Sequence, residues 1–598
     1  MKTLRRYVFR DFSSLFAALL VLVICVILFF VGLGRIPFYD KGEPREALQV
    51  REMVIGGRWI LPVVEGVLFP EKPPFYHWLC AFTSRLFGRI DEFTVRLPSA
   101  LLGTVGVLLT FFAGRAFWGL RAGVVSAVVL ATSFEWWRAA TAARIDMTLT
   151  VLVTANLLLF FFWYRREALG IGGILVLALL SAFGTLAKGP VGVVLPCAVV
   201  FVFLAIRGEV SFVRARILPL LAGASLFLLI VGSWYLLAYK EGGQHFIEIQ
   251  LLKENIFRFF ARDSKGSGHD HPITYFTPCL IVGMVPWSLF IPGILRSLIR
   301  DRRIPKGDEM VYLLVWFATV FVLFSVSAGK RSVYILPLYP SAALLFGAWW
   351  QNLGKEDLFS SRLVRCFAYL MAGLLFVAIP LVLAQLLGID ILNIIRDLVD
   401  PKNEADLGIG YTVIESHRLL WGLWGVLGTV VAVLLVIFSR RGTWDGVFTC
   451  VAALMILTFL LARHGVTSIL AQRDSFVSFA SRVQERVGRE TPIYFCGSLD
   501  YDMIFYVGRP IHECSESAED IPNSGYVLMW EDDWEGLKEG EQNSFDTVDV
   551  SDTTNGDDDR LFLLRRKQNA MADWDLHDAQ HLGCCYSCLP HLSKRGPL

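Results

Sequence analysis

Residues 15–33 read LFAALLVLVICVILFFVGL, nineteen consecutive residues without a charge. A helix of about 20 apolar residues crosses the hydrocarbon core of a bilayer, and this stretch is longer than the apolar core of a signal peptide and has no small-residue cleavage pattern. The whole chain has the same character, since 55% of its 598 residues are hydrophobic and 18% are charged. We therefore predict an integral membrane protein whose first span is not cleaved.

Further apolar segments give about thirteen spans, and the chain is predicted to be an all-α polytopic membrane protein. Those segments lie near 94–114, 121–134, 147–164, 170–187, 189–206, 217–239, 275–295, 310–328, 332–350, 366–387, 419–438 and 446–462. Arginine and lysine concentrate in alternate connections, on the side of the N-terminus, which by the positive-inside rule is cytoplasmic. An odd number of spans then places the region after residue 462 on the outer side.

That C-terminal region has the composition of a soluble domain. Residues 463–598 carry 13 basic and 24 acidic residues, whereas residues 1–462 carry 43 and 30. Strand-like runs at 493–496, 526–530 and 561–564, with helical spacing over 474–488, predict a small α/β domain over 463–568. Its acidity argues against a nucleic-acid partner. Residues 569–598 are predicted to be a disordered tail, although the cysteines and histidines there leave a metal cluster as an alternative.

The outer side also carries the unusual polar segments, in loops 34–93 and 240–274 and at the outer ends of several spans. Ionisable groups at the edge of a membrane are costly and often functional, although such charges can also simply solvate a loop. The candidates are Asp40, Glu43, Arg45, Glu71, Lys72, Asp146, Lys188, Glu254, Arg258, His269, Lys330 and Tyr334. Together they suit a reaction in which a carboxylate accepts a proton and cations bind a lipid phosphate.

Nine short motifs occur in order along this outer side. They are an acidic residue followed by E-x-R, R-E-M, G-x-W and E-K-P-P in the first loop, then R-x-D-M, A-K-G-P, E-N-x-x-R, H-x-x-P-x-x-Y and G-K-x-x-x-Y-x-L-P-x-x-P. This pattern resembles the polyprenyl-phosphate-dependent glycosyltransferases of the C superfamily. More narrowly, it is similar to the bacterial branch that includes 4-amino-4-deoxy-L-arabinose lipid A transferase and the related protein O-mannosyltransferases. The layout of about thirteen spans and an outer C-terminal domain also resembles that family.

The resemblance implies roles for the candidates. The acid that activates the acceptor corresponds to Asp40 or Glu43. Many relatives have an adjacent Asp-Glu pair where this chain has Gly42 before Glu43, so which carboxylate is the base stays open. Asp146 joins these two as a catalytic candidate.

The remaining candidates are assigned to binding. The residues expected to bind the donor or its phosphate are Arg45, Glu71, Lys72, Lys188, Glu254, Arg258, Lys330 and Tyr334. Glu71 and His269 match positions that bind a divalent metal in some relatives, so a metal ion is a possible cofactor, and no other cofactor is expected.

The implied activity is transfer of one sugar from undecaprenyl phosphate to lipid A, another envelope glycan or a protein. It would take place at the periplasmic face of the bacterial inner membrane. Two alternatives are a flippase or transporter of lipid-linked sugars and a non-enzymatic envelope assembly protein. Transporters usually show repeated halves and ionisable groups near mid-membrane, whereas this sequence shows no repeat and gathers its ionisable groups at the outer interface.

Overall fold

A computed structural model describes residues 12–38, 40, 42–64, 67–68, 71–258, 271–301, 307–353, 358–389, 412–496, 500–514, 525–554 and 560–567. The predicted tail 569–598 and His269 lie outside these ranges. The chain divides into two compact units. The first comprises residues 1–478 with 501–506, and the second comprises residues 479–500 with 507–598.

The first unit is built from helices. They are α1 (Phe12–Cys25), α2 (Gly42–Val54), α3 (Phe75–Phe87), α4 (Glu92–Trp118), α5 (Leu120–Ala131), α6 (Phe134–Ala140), α7 (Ile145–Arg165), α8 (Ile171–Lys188), α9 (Val191–Arg207), α10 (Ser211–Arg214), α11 (Ile217–Phe246), α12 (Phe276–Gly283), α13 (Ile291–Arg296), α14 (Asp308–Val326), α15 (Tyr339–Gln351), α16 (Leu358–Leu386), α17 (Arg418–Arg441), α18 (Trp444–Leu461) and α19 (Ser468–Asp474). Several continue as π or 3₁₀ turns, of which the longest is the π-helical extension of α11 over Ile247–Phe257. A two-stranded hairpin, β1 (Val63–Val64) and β2 (Val67–Leu68), lies between α2 and α3.

Every one of the thirteen predicted apolar segments is helical over most of its length. Among the described residues, ten helices are long and apolar enough to cross a membrane, and the pair Phe276–Gly283 and Trp287–Ile299, bent by 106°, makes an eleventh. The other two, α5 and α9, are apolar but only 12 and 17 residues long. Because these two helices are short, the sequence predicts about thirteen spans whereas the length criterion counts up to eleven. The first unit is therefore that of a multi-span membrane protein.

Ion pairs join helix ends on the side opposite the candidate residues. Arg121 binds Asp445 at 2.7 Å, and Arg165 and Arg207, at the ends of α7 and α9, pair with Glu309 and Asp308 at the start of α14. Because α7 begins beside Asp146 and ends at Arg165, its length separates the two sides. These three arginines lie in connections that the sequence places on one side of the membrane. The structure brings each of them to an acidic partner there.

The first outer loop is more ordered than a solvated loop. Ala47, Val50 and Met53 on one side of α2 are fully buried, as the apolar stripe of that helix predicts, and α3 begins directly after two prolines, which favour helix starts. The segment 240–257 was predicted as part of an outer loop, but it is helical apart from a kink at Gly243, where φ is +54° and ψ is −138°. Its apolar residues outnumber the charged ones that suggested a loop.

The second unit contains a five-stranded sheet in the order β4–β3–β5–β7–β6. The strands are β3 (Ile493–Cys496), β4 (Ile511–Cys514), β5 (Tyr526–Trp530), β6 (Phe545–Thr554) and β7 (Arg560–Arg566). The first three are parallel, and β7 and β6 add antiparallel strands at one edge. The predicted α/β class is confirmed, and β4 and β6 are strands that the sequence reading missed.

Candidate active site

Four helix ends of the first unit supply the charged candidates. Lys72 precedes α3, Asp146 lies in the first turn of α7, Lys188 ends α8, and Glu254 belongs to the extension of α11. The turn after Lys188 is tight, because a Cβ on Gly192 would lie 2.1 Å from the backbone carbon of Gly184. Glycine at 192 therefore allows α8 and α9 to approach closely and fixes the end of α8.

These four side chains and Arg258 form one cluster. Glu254 pairs with both Lys72 and Arg258, and Lys188 pairs with Asp146. Asp146 also interacts electrostatically with Lys72, so the two groups of ion pairs are neighbours. We call Lys72, Asp146, Lys188, Glu254 and Arg258 the cationic cluster, because its three cations and two carboxylates leave one positive charge in excess.

Burial weakens the proton affinity of one member of the cationic cluster. Burial disfavours the charged ammonium of Lys72 and, although Glu254 opposes this, the pKa of Lys72 is lowered to about 8, with Arg258 and Lys188 contributing by repulsion. Lys72 therefore changes charge within a range of pH that is accessible to an assay.

Asp40 lies beside the cationic cluster and is partly open to solvent. Its carboxylate pairs with Arg144, and Arg138 Nη1 lies 4.0 Å from Asp40 Oδ2. Arg144 also acts electrostatically on Asp146, which connects Asp40 to the cluster. The Asp40 side chain is 29% exposed, so an acceptor can reach it.

Glu43 is in a different environment. It is 1% exposed and accepts hydrogen bonds from Arg96 Nε at 2.8 Å, Arg96 Nη2 at 2.7 Å and the backbone amide of Ala143 at 2.8 Å. Arg96 also donates to the carbonyls of Leu33, Ile36 and Pro37. Glu43 is thus enclosed by groups that join the first loop to α4, and the structure does not bring it together with the exposed candidates.

Arg45 and Glu71 form a second ion-paired group in the first loop. Arg45 Nη1 lies 3.0 Å from Glu71 Oε2, and its Nη2 lies 3.0 Å from Glu46 Oε1. Glu46 also contacts Nε2 of the fully buried His77 at 2.5 Å. Burial alone would raise the pKa of Glu46, but Arg45 and His77 outweigh it and lower that pKa to about 2.

Two further candidates, Lys330 and Tyr334, lie in the segment between α14 and α15. The buried Lys330 donates to the carbonyls of His271 at 2.9 Å and Ser327 at 2.6 Å, so its ammonium is turned toward backbone oxygens. Tyr334 places its ring 4.3 Å from Lys188 Nζ. Tyr334 therefore contacts the cationic cluster, whereas Lys330 binds backbone carbonyls.

Of the two predicted metal ligands, Glu71 and His269, the structure describes only Glu71. Glu71 is held by Arg45, and the described part of the chain contains no group of three His, Cys, Asp or Glu side chains placed to hold a metal ion. Because His269 lies outside the described residues, a metal at Glu71 and His269 stays a prediction, and no chemical step below depends on it.

Sequence reasoning missed several partners of the candidates. Glu46, Arg96 and Arg138 form ion pairs or hydrogen bonds to candidates, and His77 in turn binds Glu46. The only signal available was that charged residues stand inside apolar segments, as Arg96 does four residues into α4. Which carboxylate it meets is decided by tertiary structure.

Comparison with known proteins identifies proteins that are similar to this chain in sequence. The family model described as dolichyl-phosphate-mannose-protein mannosyltransferase matches residues 71–235. An uncharacterized protein of Aquifex aeolicus (strain VF5) is 30% identical over 55% of this chain and 62% of its own length. The undecaprenyl phosphate-alpha-4-amino-4-deoxy-L-arabinose arabinosyl transferase of Edwardsiella ictaluri (strain 93-146) is 31% identical over 56% of this chain and 59% of its own length. The alignments thus span about 60% of these relatives.

The fold comparison extends over nearly the whole chain. The crystal structure of ArnT from Cupriavidus metallidurans bound to undecaprenyl phosphate has a TM-score of 0.72 and 21% sequence identity, and the match covers 91% of this chain and 97% of that one. The same protein in the apo state gives a TM-score of 0.70. In sequence the chain therefore resembles the polyprenyl-phosphate-dependent glycosyltransferases of the C superfamily, as its motifs indicate, and its fold is that of the ArnT transferase.

Proposed function

We propose that the chain transfers a sugar from a polyprenyl phosphate donor to an acceptor at the outer face of the membrane. The observation that carries this proposal is the cationic cluster, which places Lys72, Lys188 and Arg258 around only two carboxylates at the ends of membrane helices. A polyprenyl-phosphoryl sugar is a phosphodiester with one negative charge, which matches the excess positive charge of the cluster. Where water is scarce, such charge-assisted contacts are strong.

The charge of the donor changes during the proposed reaction. An acceptor oxygen or nitrogen attacks the anomeric carbon, the bond from that carbon to the phosphate oxygen breaks, and polyprenyl phosphate leaves with the electron pair. The leaving group gains a negative charge, so Lys72, Lys188 and Arg258 bind it more strongly than they bind the donor. Contacts that strengthen in this way speed the chemical step.

Asp40 is the proposed proton acceptor. Among Asp40, Glu43 and Asp146, it is the one whose carboxylate is both partly exposed and outside the cationic cluster. Glu43 is enclosed by Arg96, and Asp146 is engaged by Lys188. One base with attack opposite the leaving phosphate gives inversion at the anomeric carbon.

The names of the relatives indicate which donors to test. Several are named for undecaprenyl phosphate-linked 4-amino-4-deoxy-L-arabinose, and the matching family model is described by mannose carried on dolichyl phosphate. We propose undecaprenyl phosphate as the carrier, with lipid A, another envelope glycan or a protein as the acceptor.

We further propose that the protein lies in the bacterial inner membrane with a cytoplasmic N-terminus and a periplasmic C-terminal domain. The alternation of basic connections supports this orientation, and so does the disulfide bond of Cys496, because such bonds persist in oxidising compartments. An alkaline phosphatase fusion after Gly465 should be active. Activity only after Arg441 would contradict the orientation and the location of the site.

The activity itself is tested with purified protein. We expect radiolabel to move from undecaprenyl-phosphate sugar to lipid or peptide acceptors, and the Asp40→Asn variant to be much slower. Accumulation of donor across a vesicle membrane without transfer would instead indicate a flippase. Mass spectrometry of envelope lipids and proteins from a deletion strain would identify the sugar and its attachment point together.

A further inference from the structure

A short segment near the end of the chain packs against the first loop of the membrane unit. Residues 501–506 form most of the helix Tyr501–Val507. They group with the first unit, although the residues on both sides of them in sequence, 479–500 and 507–598, form the second. We call residues 501–506 the inserted segment. It lies outside the sequence motifs and outside the candidate active site, so the proposed reaction gives it no role.

The inserted segment contacts the first loop through two aromatic rings. The ring of Phe505 meets the ring of Phe38 edge-on, with 5.1 Å between centroids, and the ring of Tyr506 lies 6.2 Å from the same Phe38 ring. Phe38 is fully buried, in a core that includes Ala47 and Val50 of α2. Aromatic pairs at such distances stabilise a structure beyond the burial of their surface. The inserted segment is therefore part of the core against which the first loop is packed.

Tyr506 also joins two separate parts of the first unit by hydrogen bonds. Its hydroxyl accepts a hydrogen bond from the backbone amide of Phe38 at 2.8 Å and donates one to Glu92 Oε1 at 2.6 Å. Burial, together with Glu92, raises the pKa of Tyr506, so the hydroxyl keeps its proton and remains a donor. A single hydroxyl thus connects the backbone of the first loop to the first residue of α4.

Other contacts fix the position of the inserted segment. Asp502 Oδ2 accepts hydrogen bonds from the backbone amide of Phe476 at 2.7 Å and from the hydroxyl of Ser475 at 2.9 Å, directly after α19. On the side of the first loop, Arg51 of α2 donates to the carbonyl of Ile504 at 3.4 Å. Because the segment is bound at both places, its tyrosine is a fixed partner for the loop.

The backbone that Tyr506 binds leads directly to the proposed base. Asp40 follows Phe38 by two residues. On its other side, the carbonyl of Asp40 accepts from the Glu43 amide at 2.8 Å, and its Oδ1 accepts from the Gly42 amide at 3.1 Å. These two bonds fix Asp40 relative to the start of α2, and the bond from Phe38 to Tyr506 fixes the chain that leads into it. Such precision matters because a displacement of about 1 Å can cost about a hundredfold in rate.

We propose that Tyr506 is a positioning residue, which holds the first loop in the conformation that lets Asp40 accept a proton from the acceptor. Tyr506 acts through the backbone amide of Phe38, and the proton itself goes to the Asp40 carboxylate. This inference rests on the proposed function for the role of Asp40. For the order of the first loop it rests on the contacts of Tyr506 alone.

The first test follows the loop backbone and uses no sugar donor. Hydrogen–deuterium exchange is measured by mass spectrometry on peptides that contain Phe38, with the full-length protein in detergent. The Tyr506→Phe variant keeps the ring and removes the hydroxyl. We expect exchange at the Phe38 amide to become about tenfold faster in this variant, because the amide loses its acceptor.

Tyr494→Phe is the matched control for the exchange test. Tyr494 is half-buried, as Tyr506 is, and lies on β3 of the second unit. Its substitution should leave exchange at Phe38 unchanged. Unchanged exchange in Tyr506→Phe would overturn the proposal. Equal acceleration in both variants would also overturn it, since the hydroxyl of Tyr506 would then have no specific effect on the loop.

The second test asks whether the loss of order reaches the base. In the transfer assay, Tyr506→Phe should lower kcat about tenfold and leave the KM for the polyprenyl phosphate donor within about twofold, because the cationic cluster is unchanged. In an Asp40→Asn background, Tyr506→Phe should lower the residual rate by less than about twofold, since no carboxylate remains to be positioned. An equal loss in both backgrounds would overturn the proposal, because Tyr506 would then act elsewhere.

The two tests distinguish failure of this inference from failure of the proposed function. Faster exchange at Phe38 with normal kcat in Tyr506→Phe would overturn the positioning role, and the proposed function would stand. Absence of transfer by the wild type would count against the proposed function and would leave the exchange result standing.

Discussion

Replacing Asp40 by asparagine tests the proposed base most directly. The change keeps the size of the side chain and removes its charge. Loss of a general base slows a reaction by about 10²–10⁴, so we expect turnover to fall at least about a hundredfold, equivalent to about 2.7 kcal/mol of barrier. The partners of Asp40 are partly exposed, with 17% of the Arg144 side chain and 28% of the Arg138 side chain accessible. An ion pair of this kind contributes about 0.2–1 kcal/mol to stability, so thermal stability should barely change.

The position of Gly42 allows a rescue of the same variant. A Cβ on Gly42 would lie 3.4 Å from Asp40 Oδ1, and the Gly42 amide donates to that oxygen at 3.1 Å. A side chain at position 42 would therefore begin in contact with the Asp40 carboxylate. We expect Gly42→Asp to restore activity at least about tenfold when combined with Asp40→Asn.

The assay is transfer of radiolabel from undecaprenyl-phosphate sugar, with thermal unfolding measured on the same preparations. Glu52→Gln is a control, because it removes a carboxylate from α2 that forms no ion pair among the described residues. Normal turnover of Asp40→Asn would refute the reasoning. Equal losses in Asp40→Asn and Glu52→Gln would also refute it, since they would reflect the charge of the loop rather than one base.

Three further predictions concern Lys72, Glu43 and Cys496. The affinity for undecaprenyl phosphate should fall about tenfold between pH 7 and 9, because the Lys72 ammonium with its pKa of about 8 loses its charge as pH rises. The affinity of the Lys72→Arg variant should stay nearly constant over the same range. An equal fall in both proteins would exclude Lys72 as the cause. Glu43→Gln should lower the free energy of unfolding by about 3–5 kcal/mol, since it leaves the Arg96 guanidinium buried without its counter-charge; a variant with normal melting and no turnover would instead make Glu43 catalytic. Denatured protein should bind two more maleimide groups after reduction than before, because Cys496 is disulfide-bonded, and identical labelling would contradict that bond.

The fold was largely predictable because one physical requirement governs it. A span must be apolar over about 20 residues whatever its neighbours are, so each predicted segment is helical over most of its length. The same reasoning failed where length and polarity disagree. The segment 240–257 has charged residues yet is helical on both sides of a kink at Gly243, and β4 and β6 are too short or too polar to be recognised without their partners.

The sequence predicted which residues make up the candidate site but not which of them pair with one another. Spacing and motif order indicated which residues gather on one side of the membrane. They could not indicate that Glu43 would meet Arg96, 53 residues away, since that pairing depends on how α4 packs against the first loop. Cys496 was missed for a similar reason. Its residue in register on the neighbouring strand is Cys514, but the strand that carries Cys514 was not recognised in the sequence.

The pairing also constrains how the cationic cluster can act on a donor. Lys72 and Arg258 both pair with Glu254, and Lys188 pairs with Asp146. A bound phosphate must therefore share these cations with two carboxylates. The carboxylates reduce the attraction for a donor of one negative charge, and they also hold the three cations in place before the donor binds. Since the phosphate becomes more negative as the glycosidic bond breaks, prearranged cations gain most at that moment. A cluster with one excess charge is therefore better suited to stabilising the departing phosphate than to binding the donor tightly.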